Sequence, residues 1–162
     1  MAINLENYET VEQRIMRFKE KNPNYRMHSE LVDMQGAPGN TRWVVKVTLW
    51  LDAADEHPVS TGFAFEVDGA GMANKTAALE NCETSAFGRA LANAGYSGNK
   101  RVTREEMLKV RVGEYRELIA GARDEESLRK VFEQGKAEGL GNHINPLVSA
   151  RLSELRGESG AQ

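Results

Sequence analysis

One cysteine, Cys82, stands among 162 residues. That excludes an intramolecular disulfide framework and any site built from several thiolates, and it fits a reducing compartment. No apolar run reaches membrane-spanning length, and Met1–Asn7 has no basic start followed by an apolar stretch. Neither a transmembrane helix nor a signal peptide is therefore expected, and the expected location is the cytoplasm. The chain lacks a surplus of basic charge: 21 Lys and Arg against 24 Asp and Glu leave it at −3. A uniformly basic nucleic-acid coat is excluded; a local basic patch is not. Internal repeats and low-complexity tracts are also missing.

Catalytic signatures are equally scarce. Gly95-Tyr96-Ser97-Gly98-Asn99-Lys100-Arg101 has neither the spacing nor the preceding strand of a phosphate-binding P-loop. Gly69-Ala70-Gly71 lacks the third glycine of a dinucleotide fingerprint and reads as a joint. His28, His57 and His143 fall in different elements without metal-ligand spacing. Asp52, Asp55, Glu56, Glu66 and Asp68 make an acidic cluster, either a solvated rim or a weak Mg²⁺ site. The rim is the favoured reading. No enzyme, metal site or cofactor is expected.

The chain is long enough to bury roughly 70% of its unfolded surface. Its charge is uneven. Residues 52–68 carry net −5 and residues 69–104 net +3, so the second stretch is where a phosphate backbone finds positive charge. Val11, Ile15 and Phe18 predict a first helix over about 7–21, ended by Pro23. Tyr25–Met34, Thr41–Leu51 and Val59–Val67 predict three strands, whose short links suggest an antiparallel meander. A helix of roughly 20 residues and 30 Å follows, with Asn74 as its cap and Gly95 as its stop. Thr103 and Glu106 suggest a capping box for a helix to about Ala120. Asp124 opens another to about Ala137, and Pro146 a last one ending near Arg156. The fold class expected is α+β: an N-terminal helix, a three-stranded antiparallel sheet on a long helix, then a helical C-terminal region. Residues 1–104 form the core unit, 105–156 a helical appendage with irregular apolar stripes, packed peripherally or serving as a partner-binding appendage, and 157–162 a frayed end.

Alternation sorts the sheet faces. Trp43, Val45, Val47, Leu49 and Leu51 occupy odd positions of the second strand, and Val59, Phe63, Phe65 and Val67 those of the third. Both sets are expected in the core, with Tyr25, Met27 and Leu31 of the first strand. The opposite face then carries Arg26, Arg42 and Lys46, either as a ligand surface or simply solvated. The long helix is rich in small residues, and Leu79, Cys82, Ala86, Ala90 and Ala94 line one stripe. Arg89 has no acid at i±3 or i±4, so it either meets a ligand or pairs with Glu66 or Asp68. Glu80 and Glu83 likewise lack partners on their own helix.

The run Glu83-Thr84-Ser85-Ala86-Phe87-Gly88-Arg89-Ala90-Leu91, spaced to Gly95, resembles the shared helix of the single-strand annealing proteins of the Rad fifty-two, Erf and Sak kind. Their pattern is A-x-E-T-[DS]-A-hydrophobic-[KG]-R-A-L-x-x-x-G after a three-stranded meander, and the phage-encoded members look closest. The resemblance covers about residues 7–104. It departs where many relatives have a basic pair and this chain has Gly88-Arg89. It implies ATP-independent binding and annealing of single-stranded DNA in recombination and repair, by a homo-oligomeric ring in the cytoplasm, that of a bacterial host if phage-encoded. DNA would run along a positive groove between the helix-bearing core and the hairpin. Arg26, Arg42, Lys46, Lys75, Arg89, Lys100, Arg101 and Arg104 are the expected DNA contacts, and Glu80, Glu83 and Gly88 the expected subunit contacts. Tyr96, beside the basic loop, either stacks on a base or packs at the helix end. A single-strand-binding protein or an exonuclease is the partner expected for the C-terminal helices. Two rivals stand beside this: a coating or replication-loading accessory that does not anneal, and an oligomeric interaction protein that does not bind DNA.

Overall fold

The computed structural model describes residues 8–70, 74–97 and 102–159. The fold is α+β, in two compact units that divide between Glu106 and Met107. In the first unit, helix α1 (Val11–Lys21) starts later than its periodicity suggests because Thr10 caps it. The Thr10 hydroxyl accepts from the Gln13 N–H at 3.2 Å, and the Gln13 side chain accepts from the Thr10 N–H at 2.9 Å. Strands β1 (Arg26–Gln35), β2 (Arg42–Trp50) and β3 (Ser60–Val67) form an antiparallel sheet in the order β1-β2-β3.

Helix α2 (Ala78–Asn93) packs on β2 and β3, and α1 packs on α2. The core between them joins Val11 and Phe18 of α1, Val45, Val47 and Leu49 of β2, Ala64 of β3, and Cys82, Ala86, Ala90 and Leu91 of α2. Small residues set the spacing. A Cβ on Gly62 would lie 2.3 Å from the Ala90 nitrogen and 2.5 Å from the Ala86 carbonyl oxygen, so α2 rests directly on the β3 backbone. Ser60 Oγ donates to the Ala90 carbonyl at 2.8 Å, and Asn93 Nδ2 donates to the Thr61 carbonyl at 2.7 Å.

This contact corrects the expected face of β3. Val45 pairs with Ala64 and Lys46 with Phe63, so odd positions of β2 share a face with even positions of β3. Phe63 and Phe65 point away from the core, 50% and 63% exposed, and Val59 is exposed as well. The large side chains are excluded because α2 lies too close to admit them. Leu51 is exposed beyond the end of β2, and Leu31 and Leu79 are exposed along the β1 edge. A bulge at Val32 shifts the register there, from Leu31 opposite Val45 to Asp33 opposite Val44.

Asn74 is not the helix cap: Ala77 holds that position without a side-chain bond. Asn74 is buried, donating to Glu66 Oε2 at 2.5 Å and accepting from Asn81 Nδ2 at 3.0 Å, which ties the turn to β3 and α2. The end of α2 follows the expected chemistry. Gly95 takes φ +87°, its N–H reaches the Ala92 carbonyl at 3.1 Å, and the Tyr96 N–H reaches that of Leu91 at 2.9 Å.

The second unit contains most of α3 (Arg104–Ala120), then α4 (Glu125–Ala137) and α5 (Gly141–Ser159). Despite their irregular apolar stripes, its helices have a core of their own: Tyr115, Ile119, Leu128, Leu140, Ile144 and Leu155 are buried together. Arg111 bridges Glu138 and Glu114 beside the Tyr115 ring. Asp124 caps α4, accepting from the Ser127 N–H at 2.7 Å. Pro146 lies inside α5 and does not start it. Leu140 closes the turn after Gly139 by bonding its N–H to the Gly135 carbonyl at 2.8 Å, and α5 begins at the next residue.

Candidate nucleic-acid interface

Four of the predicted basic residues fall on two surfaces of the first unit, three on one and one on the other. Arg26, Arg42 and Lys46 share the sheet face turned away from α2, because each alternates with the buried positions of β1 or β2. Each has a defined neighbour. The Arg26 guanidinium sits 3.9 Å from the Trp50 ring centre and donates to the Asp55 carbonyl at 3.3 Å. Arg42 lies 5.6 Å from the Phe65 ring centre and 3.4 Å from the Asp33 carboxylate. Lys46 is cross-strand from Phe63 and 3.8 Å from Glu30. The acids of this face lie on β1; the outward residues of β2 and β3 include none.

Arg89 belongs to the second surface. Ser85, Ala86, Gly88, Ala90 and Leu91 around it are all buried, while its own side chain is 58% exposed. It borders a cleft of about 340 Å³ lined by Ala92, Asn93, Val102 and Glu106. Its partner is neither Glu66 nor Asp68: the guanidinium lies 3.4 Å from Glu106. Glu106 also closes the predicted capping box, with its N–H on the Thr103 hydroxyl at 3.2 Å and its carboxylate on the Thr103 N–H at 3.0 Å. Lys75 and Arg104 are exposed. Lys100 and Arg101 lie outside the described residues.

The expected subunit contacts separate. Gly88 is buried in its own chain: a Cβ there would lie 3.0 Å from Thr103 Cγ2 and 3.1 Å from Val11 Cγ2, so its small size serves the packing of α1. Glu83 is half-buried and accepts from Ser29 Oγ at 2.5 Å, which ties α2 to β1. Glu80 is exposed. Tyr96 packs edge-on against Phe18, ring centres 5.0 Å apart, and its hydroxyl accepts from Asn22 Nδ2 at 2.9 Å. The helix-end role is therefore the one observed.

Four residues near these surfaces escaped the sequence reading. Arg14 is fully buried and donates to the carbonyls of Gly88 at 3.3 Å and Val102 at 3.2 Å. Burial pulls its guanidinium below the ordinary arginine value, with Glu9 and Glu106 acting against that. Its position three residues after Val11, on the Val11–Phe18 stripe, was the available signal. Arg17 donates to the Tyr96 carbonyl at 2.9 Å and bridges to Glu9, whose carboxyl is held below its usual range chiefly by that bond. Arg14 and Arg17 thus fix Val102 and Tyr96 to α1. Phe63 and Phe65 are the other two, expected in the core and found on the outer face; the signal for that was the small pair Gly62 and Ala64 alternating with them, matching the small residues of α2.

Among the described residues no group of three or more His, Cys, Asp or Glu is placed to hold a metal ion, and no helix is long and apolar enough to cross a membrane. A family model described as Slr1353 N-terminal dsRNA-binding domain-like matches residues 15–94, from within α1 to just past the end of α2. No curated protein and no solved structure matches the chain.

Proposed function

We propose that the chain binds single-stranded DNA and anneals complementary strands without ATP, as a homo-oligomeric ring acting in recombination and repair. The observation that carries this is Arg89: while Ser85, Ala86, Gly88, Ala90 and Leu91 around it are buried, it turns its charge outward at the rim of an open cleft. The resemblance of Glu83–Gly95 to the annealing-protein helix supports the specific activity. The match to a dsRNA-binding-like family supports nucleic-acid binding at a coarser level. The guanidinium end of the Arg89–Glu106 pair is open to water, which weakens the pair, so a phosphate can compete for Arg89. A net charge of −3 is no obstacle, because phosphate neutralisation is local and Arg26, Arg42 and Lys46 share one face of the sheet.

The test is annealing of two complementary oligonucleotides, followed by fluorescence without ATP or metal, across a salt series. Acceleration that fades with salt supports the reading. Arg89→Ala is expected to fold normally, weaken binding about 5- to 10-fold and reduce the salt slope by roughly 0.7. Unchanged affinity in the folded variant removes Arg89 from the site. The family match favours a second reading, recognition of a duplex by its shape. Tighter binding to double-stranded RNA than to either single strand, with no annealing, would select it.

A further inference from the structure

We infer that the outer face of the sheet is a base-stacking platform, on which Phe63 and Phe65 take the faces of neighbouring bases of a single strand while Arg42 and Lys46 take its phosphates. This rests on the single-strand reading above and adds a surface to it, on the opposite side of the sheet from α2. Exposure is the first reason. The two rings are half or more open to solvent, on successive outward positions of β3, about 7 Å apart along the strand. Core packing does not require them there, since Gly62 and Ala64 fill the side facing α2. Each ring has a cation beside it: Lys46 is directly cross-strand from Phe63, and Arg42 lies 5.6 Å from the Phe65 centre.

Charge decides the occupant. The acids that hold Arg42 and Lys46, Asp33 and Glu30, lie on the far side of β2 in solvent-exposed pairs of 3.4 and 3.8 Å. Such pairs are weak and yield to phosphate oxygens. The lane between β2 and β3 holds cations and aromatic rings and no outward acid, which suits a polyanion with flat bases better than an apolar partner. Stacking uses the faces of the bases and leaves their Watson–Crick edges open to a second strand, so the platform is compatible with annealing.

The experiment uses the full chain and two probes of equal length, a thymidine oligonucleotide and an abasic one. The wild type is expected to prefer thymidine by roughly 10- to 100-fold. Phe63→Thr/Phe65→Thr, which keeps a good strand former at both positions, is expected to lose that preference while retaining its affinity for the abasic probe and its salt dependence. Phe63→Tyr/Phe65→Tyr is expected to restore it. Equal binding of the two probes by the wild type overturns the platform and leaves the single-strand reading standing. Binding of neither overturns both. A Thr variant that keeps the preference also overturns the platform, and if sedimentation shows that it has lost self-association, the face is a subunit contact instead.

Discussion

The two faces of the sheet are built from the same alternating strands and use side-chain size in opposite ways. Toward α2, β3 presents Gly62 and Ala64, and the helix answers with Ala86 and Ala90, so backbone rests on backbone. Away from α2, β3 presents Phe63 and Phe65, with Arg42 and Lys46 on the neighbouring strand. The inner face has no room to spare; the outer face has room and charge. Hydrophobicity alone therefore does not say which side of a strand is buried. Where a helix must come very close, the smaller residues go inside and the larger ones are left for another use.

The contrast can be broken most severely at Gly62. Gly62→Val is expected to lift α2 off the sheet, at a cost of about 3 kcal/mol or more, and to leave little folded protein in a denaturant titration. Leu49→Ala, on the same inner face, removes a fully buried side chain and is expected to cost about 2–5 kcal/mol by the same measurement. A smaller effect is expected at the sheet end. Asp68 accepts from Trp43 Nε1 at 2.7 Å and from the Thr41 N–H at 3.2 Å, and the Trp43 bond above all holds its carboxyl below the usual aspartate value. A lowered folded-state pKa favours folding above the unfolded value, and that contribution is lost as pH falls through the folded one. Asp68→Asn should thus be less stable than wild type at neutral pH, with the gap closing on acidification. Denaturation midpoints across the acid range check the sign. The least change in stability is expected on the outer face: Phe65→Thr, at a position 63% exposed, should stay within about 0.5 kcal/mol of wild type in the same denaturant titration.

Much of the molecule was legible in its residues because local rules acted alone there. β2 alternates cleanly, so Arg42 and Lys46 could be assigned to one face. Thr103 with Glu106 and Gly95 with its following tyrosine mark helix ends by chemistry that needs no tertiary partner. Arg26 fell on the right face for the same reason as Arg42. The C-terminal helices were found through the caps Thr103 with Glu106 and Asp124. Their shared core was not, because its buried residues come from three separate helices.

What the sequence determined by itself was the set of elements and their order: where apolar residues recur at a period of two or near four, and where a glycine or a hydroxyl ends the run. The tertiary structure decided how those elements face one another. Pairing of β2 with β3 turned Phe63 and Phe65 outward, the closeness of α2 explained Gly62 and Gly88, and the fold drew Arg14 inside while Glu106 came to meet Arg89. Each of these depends on a contact between residues far apart in the chain, and a period read along one strand or helix is the same whichever of its faces the rest of the molecule covers.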